Sequence, residues 1–479
     1  MIDIVIVNVP GTLVQEPFAA PALLKAALQE EGFTCKTIDF NLRFYKTAIN
    51  NIQELENFFI TGVNEECLHD AQSLVGKWAE EIIKYNPTYL GISVFTYQNR
   101  IATRILCDCI KQKSSIKIIL GGQGLTDGGI LGPQGFAKEL MSIGLIDYYI
   151  KSEGERALVE LLSGNLSYSG INSDNFNQIQ NLNILPLPDY SDYDLTRYSK
   201  RTLPITSSRG CVRSCSFCDI HDHWKYRYRD GNLVAKEMII LSEKYNINDF
   251  SFTDSLVNGN LKEFTKFCEV LSEYNYNGHI KWNGQYIIRS ETVLSEEYWS
   301  KLSKSGANNL TIGIETGSDI VRMHMNKRFT NVDIDYTMKM LDKYNITCTF
   351  LMIVGYPTET EKDFQNTLDI FNKYQHLANR IIVDVDFGST LSILPNTPLY
   401  KDASKYNIFL DTYENNWIAT DNPTLTVSER IKRVKYANEY VRNLGFLTND
   451  LNEGMLNMLE RQIPKFEKRN LIISKVKNK

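Results

Sequence analysis

Residues 203–220 read LPITSSRGCVRSCSFCDI. A short apolar run gives way to serines and Gly210, and then Cys211, Cys215 and Cys218 fall within eight residues. The apolar run is of strand type, and Gly210 lets the backbone turn tightly before the first cysteine. A closed structural metal site takes four ligands, as does an iron–sulfur cluster that only stores electrons. Three thiolates on one cluster leave a fourth iron open to a cofactor or substrate. Spacing alone leaves two other readings open. His221 follows Cys218 with two residues between and completes a zinc set of three cysteines and one histidine; alternatively, the thiols carry no ligand.

Beyond this loop the chain alternates strands and helices. DFSFTDS, IKWNGQYII, NLTIGIETG, ITCTFLMIVG and IIVDVDFGSTLSIL read as strands, separated by helical stretches such as NLVAKEMIILSEKYN and EKDFQNTLDIFNKY. With LPITSS these make six strand–helix units. They predict a partial, TIM-like (β/α)6 barrel over residues 201–395, with active groups at the carboxyl ends of its strands. Upstream, IDIVIVNV, CKTIDF, YLGISVF, IKIILGG and IDYYIK alternate with helical stretches, the first of which, PFAAPALLKAALQEEG, is closed by Gly32. Short apolar strands in that rhythm predict a doubly wound parallel sheet over residues 1–165. The Asn/Ser-rich and then Pro/Tyr-rich stretch 166–200 reads as a linker, and residues 396–479 as a mainly helical C-terminal domain. The fold class is α/β.

Composition narrows the function. A net charge of −5 and a pI near 5.8 leave no electrostatic footprint for nucleic acid, and the basic stretch PKFEKRNLIISKVKNK (464–479) reads as a solvated end. MIDIVIVNVPG has neither a basic n-region nor a small-residue cleavage site. No apolar run approaches the roughly 20 residues that span a bilayer. Nine cysteines at irregular spacing are not a secreted disulfide framework. The expectation is a cytosolic protein, where clustered cysteines do metal or redox work.

C-x3-C-x2-C with Phe217 before the last cysteine resembles the signature of the radical S-adenosylmethionine enzymes. The resemblance implies a 4Fe-4S cluster on Cys211, Cys215 and Cys218, whose open iron is chelated by S-adenosylmethionine and whose electron yields a 5′-deoxyadenosyl radical. It continues along the barrel. FTDS (252–255) resembles the segment that meets the amino group of S-adenosylmethionine, which implicates Asp254. IGIETGS (312–318) is similar to the motif whose acid meets the ribose, which implicates Glu315 with Ser318. IVGYPTETEKDF (353–364) resembles the segment along the adenine, which implicates Ile353 and Gly355, and LPNTPLY (394–400) fits the close of the barrel. In KWNGQYIIR, alternation puts Trp282, Gly284, Tyr286 and Ile288 on one face and Asn283, Gln285 and Ile287 on the other. Gln285 joins Phe217 as a candidate for the cofactor-facing set.

PALLKAALQEEGF, YLGISVFTYQ, IILGGQG and IDYYIKSEGERALVELL resemble the cobalamin-binding domain that precedes the barrel in one subclass of these enzymes. Ser93, Thr96, Gly121, Gly122 and Gly154 fall in loops at the carboxyl edge of the sheet and are the candidate cobalamin contacts. The Asp-x-His-x-x-Gly motif that supplies a lower cobalt ligand in mutases is absent: Asp39 has no histidine two residues on. The subclass implies methyl transfer to an unactivated carbon or to phosphorus, with a small-molecule or peptide substrate and an external electron donor such as flavodoxin or ferredoxin. Rearrangement, cyclisation or oxidation on the same scaffold, and a sensor that binds cobalamin or a cluster without turnover, are the alternatives. Cys35, Cys67, Cys268 and Cys348 read as core residues, and Cys107 and Cys109 lie two apart on a helix and face different ways. No second cluster of the methylthio-transferring kind is offered. HDHWKYRYRDG (221–231), with His223 and Tyr226, reads as a solvated loop over the barrel.

Overall fold

The strand β1 (Ile2–Asn8) is apolar on both faces because it is covered on both: Val5 and Val7 enter one core cluster, Ile4 and Ile6 another. The computed structural model describes residues 2–11, 14–46, 51–64, 66–125, 135–151, 153–411 and 416–448. Around β1 stand β2 (Cys35–Asp39), β3 (Pro87–Ser93), β4 (Lys117–Gly121) and β5 (Tyr148–Ile150), all parallel, in the order β2-β1-β3-β4-β5. The order reverses between β1 and β3, so helices lie on both faces and a crevice opens at the carboxyl ends of the strands. This is the expected doubly wound sheet.

The chain divides into two compact units, Met1–Ile205 with Tyr245–Asp249, and Thr206–Lys244 with Phe250–Lys479. Residues 166–200 are nearly free of regular structure, yet they are not loose. Lys25, itself buried, meets Asp189 at 3.1 Å and Asp192 at 2.8 Å, and Tyr198 donates to the buried Asp39 carboxylate at 2.6 Å.

The second sheet contains β6 (Thr202–Ile205), β9 (Asp249–Phe252), β10 (Lys281–Tyr286), β11 (Ala307–Glu315), β12 (Thr347–Met352) and β13 (Ile382–Asp386), in the order β13-β12-β11-β10-β9-β6. Between β6 and β9 a two-stranded clasp forms from β7 (Ser208–Arg209) and β8 (Arg227–Tyr228). Each new strand is added on the same side of the last. With right-handed crossovers this keeps every helix on one face and curls the sheet around the other, giving the expected partial barrel. Trp282 marks the helical face, where its ring meets Phe264 and Phe267 of the helix Leu261–Tyr274 edge-on. On the opposite face the register sets Gln285, Thr311, Thr349 and Asp384 side by side in a polar row.

The C-terminal segment is less purely helical than expected. Its described part holds an antiparallel hairpin of β14 (Ile408–Asp411) and β15 (Asn416–Ala419) before the helix Val427–Asn443. The basic stretch 464–479 lies outside the described residues.

Candidate active site

The three-cysteine loop is held in place by its neighbours. Gly210 has φ 81°, and a Cβ there would stand 2.7 Å from the Lys225 carbonyl oxygen, so only glycine lets the loop leave the β7–β8 clasp. On one side Asp254 is buried and accepts from the Ser207 amide at 2.9 Å, the Ser207 hydroxyl at 2.6 Å and the Ser208 hydroxyl at 2.7 Å. Burial raises its carboxyl to about 6 against these bonds. On the other side Ser216 donates its amide to Met325 and accepts from the Leu399 amide, while its hydroxyl pairs with Tyr356 at 2.8 Å. Asn326 bonds the Ser214 carbonyl at 2.8 Å.

All nine cysteines are free. Burial raises the Cys211, Cys215 and Cys218 thiols above their usual value, and in each case the charge of Lys327 opposes it. His221 is exposed. Among the described residues no three His, Cys, Asp or Glu side chains converge on one ion position. Thiolates on separate corners of a cluster stand farther apart than ligands on a single ion. The donor chemistry of three thiols is suited to a cluster.

Glu315 closes β11 in the left-handed region, at φ 65°. That conformation costs a residue with a Cβ roughly 1–2 kcal/mol. Gly313 makes room for it, since a Cβ there would stand 2.3 Å from Glu315 Oε1 and 2.7 Å from Lys327 Nζ. The Lys327 ammonium also stands 5.7 Å over the Phe217 ring. Sequence reasoning missed Lys327, whose only signal is a pair of basic residues shortly after the ETGS stretch.

The Ile353 amide donates to the Glu315 carbonyl at 2.7 Å, and Phe217 and Ile353 share one apolar cluster with Tyr356, Leu399 and Trp417. Gly355 (φ 80°) donates to Glu359, and a Cβ there would meet the Arg430 side chain at 2.8 Å. Arg430 in turn lies 3.8 Å over the Trp417 ring. Arg433 reaches Glu359 at 3.0 Å; burial still raises the Glu359 carboxyl to about 7. The C-terminal hairpin and helix thus brace the loop after β12.

Not every candidate has a side chain free for a cofactor. Ser318 caps the helix Asp319–His324 and donates to Asp363 at 2.6 Å, and Asp254 staples the cysteine loop. Gln285 is exposed on the face away from the helices. HDHWKYRYRDG is not the solvated loop expected: Arg227 and Arg229 are buried, and Arg229 ties Glu237 at 2.5 Å to the Thr206 carbonyl at 2.9 Å. His223 Nε2 lies 2.9 Å from Asn396, and Tyr226 packs against Gly259.

In the first unit, Ser93 and Gly121 are neighbours at the ends of β3 and β4. Thr96 caps a short turn with Asn99, whose amide donates to the Val9 and Pro10 carbonyls and so ties two strand ends together. Gly122 and Gly154 answer to the chain itself, since a Cβ would stand 2.4 Å from the Val94 oxygen and 3.1 Å from Leu24. Beside them Phe95 is 54% exposed, its ring 5.6 Å from that of Phe18. Asn41 stands at the position of the missing histidine and is buried. An exposed aromatic face among small residues suits a large flat ring, and this edge offers it no histidine.

Residues 205–371 match the family model of the radical SAM superfamily. The likeness to that superfamily covers this segment, which begins at the end of β6 and runs past β12. Among curated relatives, an uncharacterized methyltransferase of Pyrococcus horikoshii is 22% identical over 76% of this chain and 81% of its own. Among solved structures, the radical S-adenosylmethionine methyltransferase TsrM from Kitasatospora setae, with cobalamin and a [4Fe-4S] cluster bound, is 17% identical; it covers 85% of this chain and 75% of its own at a TM-score of 0.62. The cobalamin-dependent S-adenosylmethionine radical enzyme OxsB, with aqua-cobalamin and S-adenosylmethionine bound, is 17% identical and covers 87% and 63% at 0.63. At this identity the likeness is one of fold, and it extends well beyond the radical SAM segment. No helix among the described residues is long and apolar enough to cross a membrane.

Proposed function

We propose that this protein is a cobalamin-dependent radical SAM methyltransferase acting on an unactivated carbon or a phosphorus centre of a small molecule or peptide. The observation that carries the reading is the pairing, in one chain, of a doubly wound sheet with a radical SAM barrel, in a fold shared over 85% of the chain with a methyltransferase solved with cobalamin and a cluster. In this reading residues 1–165 bind cobalamin, residues 201–395 form the barrel, and residues 396–479 close it.

Cys211, Cys215 and Cys218 would hold the cluster, and Lys327 would balance its charge. Glu315, Gln285, Phe217 and the backbone at Ile353 and Gly355 would receive S-adenosylmethionine, with Asp254 and Ser318 keeping their loops in shape. Ser93, Thr96 and Gly121, with Gly122 and Gly154 behind them, would edge the cobalamin site, with Phe95 against the ring. When bound, the cluster and S-adenosylmethionine supply hydrogen abstraction and cobalamin carries the methyl group. The protein orients these groups and keeps water out. Nine unpaired cysteines suit a reducing cytosol, where an external one-electron carrier serves the cluster.

The test is anaerobic reconstitution with iron, sulfide and hydroxocobalamin, followed by incubation of candidate acceptors with methyl-labelled S-adenosylmethionine. About four irons and one cobalt per chain, with label in product, support the proposal. Iron without cobalt, and 5′-deoxyadenosine without label transfer, would favour cyclisation or oxidation instead. Absence of 5′-deoxyadenosine would favour the sensor.

A further inference from the structure

Closed barrels of the TIM type fill their interior with layers of branched apolar side chains. The inner face of this sheet does not. Toward the amino ends of the strands its polar groups satisfy one another: the Asn309 side-chain amide donates to the Thr349 hydroxyl at 3.1 Å and accepts from the Thr347 hydroxyl at 3.0 Å. The next layer is left open. Thr311, Thr349 and Asp384 stand in register on β11, β12 and β13, each half-buried. Among the described residues the Thr311 hydroxyl bonds no protein group, and Thr349, which accepts from Asn309, still has its own proton to give. Asp384 meets no cation there. The charge that acts on it is that of Asp386, on the same face of β13, whose carboxylate is engaged by the Gly388 amide at 2.7 Å. Lys327, the buried ammonium of this barrel, is already matched by Glu315.

A half-buried carboxylate without counter-charge is unfavourable, and a cation brought against it relieves the cost. Two strand spacings separate Thr311 from Asp384, about 10 Å. That is the length of a short chain with a charged nitrogen at one end and a polar group at the other. Gln285, in register with Thr311, and Glu315, at the end of the same strand as Thr311, are among the residues proposed above to receive S-adenosylmethionine. The threonine end therefore borders the cofactor, and Asp384 lies away from it. We infer that Thr311, Thr349 and Asp384 form the substrate seat of the barrel, and that the substrate presents an alkylammonium to Asp384 and a hydroxyl or amide to the threonines. An anionic or purely apolar acceptor does not fit this wall.

The inference deepens the functional proposal and rests on it for what is done to the bound amine, so its test reads binding rather than turnover. The reconstituted protein, with iron and cobalt measured on the same preparation, is titrated by calorimetry with aminopentanol and with acetyl-lysine amide at constant ionic strength. Saturable binding of either amine is expected. Tighter binding of the lysine amide points to a peptide acceptor, and tighter binding of aminopentanol to a small molecule. Pentanediol, in which a hydroxyl replaces the ammonium, should bind about tenfold more weakly than aminopentanol. Asp384→Asn should weaken amine binding by about tenfold and Thr311→Val several-fold, while Asp342→Asn, whose partner is Arg380, should leave it unchanged. Absence of saturable binding, or equal binding by wild type and both seat variants, would overturn the seat. So would complete displacement of the amine by S-adenosylmethionine, itself an ammonium, which would give the carboxylate to the cofactor. Low iron or cobalt counts against the functional proposal, while the amine titration is still read.

Discussion

The Lys327 ammonium lies 2.6 Å from the Glu315 carboxylate, their side chains only 11% and 9% exposed, and the same charge acts on all three thiols of the cysteine loop. One cation therefore faces both the carboxylate that closes β11 and the thiols of the cysteine loop. Burial works against the ammonium, but Glu315 and the thiols of Cys215 and Cys218 keep it charged. Lys327→Met removes one partner of a buried pair, which costs about 3–5 kcal/mol and should show as a marked fall in melting temperature. A cation facing thiolates favours the more negative, reduced cluster, so the variant should also have a lower midpoint potential, with Lys327→Arg recovering part of it. An unchanged potential would remove Lys327 from the electrostatics of the cluster.

Asp254 sets a pH dependence. Its folded value, about 6, stands above the ordinary 3.8 because burial disfavours the charge. The native state therefore holds a proton that the unfolded chain has released. This contribution to stability is complete below about pH 4, is lost as pH rises to about 6 and is flat above. The span corresponds to about 3 kcal/mol. Unfolding of wild type and Asp254→Asn across pH 4–8 should diverge within that window and run parallel beyond it.

Gly210→Ala meets both a φ of 81° and a carbonyl oxygen 2.7 Å away. Left-handed strain alone costs about 1–2 kcal/mol, and the contact adds to it. Iron per chain after reconstitution should fall together with thermal stability. Full iron loading would mean that the clasp does not dictate the loop.

Arg433→Met leaves the Glu359 carboxylate buried without its cation, a loss of about 3–5 kcal/mol near neutral pH. Glu359 already titrates near 7, above its ordinary 4.5, so the variant should recover stability as pH falls toward 5 and the carboxyl takes up a proton. Because Glu359 holds the Gly355 amide, the dissociation constant for S-adenosylmethionine should rise several-fold. Equilibrium dialysis with labelled cofactor gives that number. An unchanged constant would confine the pair to a structural role.

The sheets were legible because period and apolarity are local properties: IDIVIVNV shows its two buried faces directly. The cysteine loop was legible because its three cysteines are neighbours in sequence. The braces around it were not. Asp254 acts on serines 46 and 47 residues away and Arg433 on a glutamate 74 residues away, and no local pattern announces such pairs. Asp254 and Ser318 show the reverse limit, since a family motif marks a position without saying whether its side chain faces a cofactor or the protein. The hairpin at 408–419 escaped because two four-residue strands carry little periodicity.

Small zinc modules acquire their shape from the metal and lose it when the metal leaves. Here the cysteine-bearing segment is gripped by Asp254 from within and by Met325, Leu399 and Tyr356 from without, through bonds that involve no thiolate. Its geometry is inherited from the barrel rather than induced by iron. A chain stripped of its cluster by oxygen should thus persist as an empty mould, resistant to proteolysis and ready to be recharged. Loss of the cluster, short of oxidation of the cysteines themselves, would then be a reversible pause in the life of the molecule rather than its end.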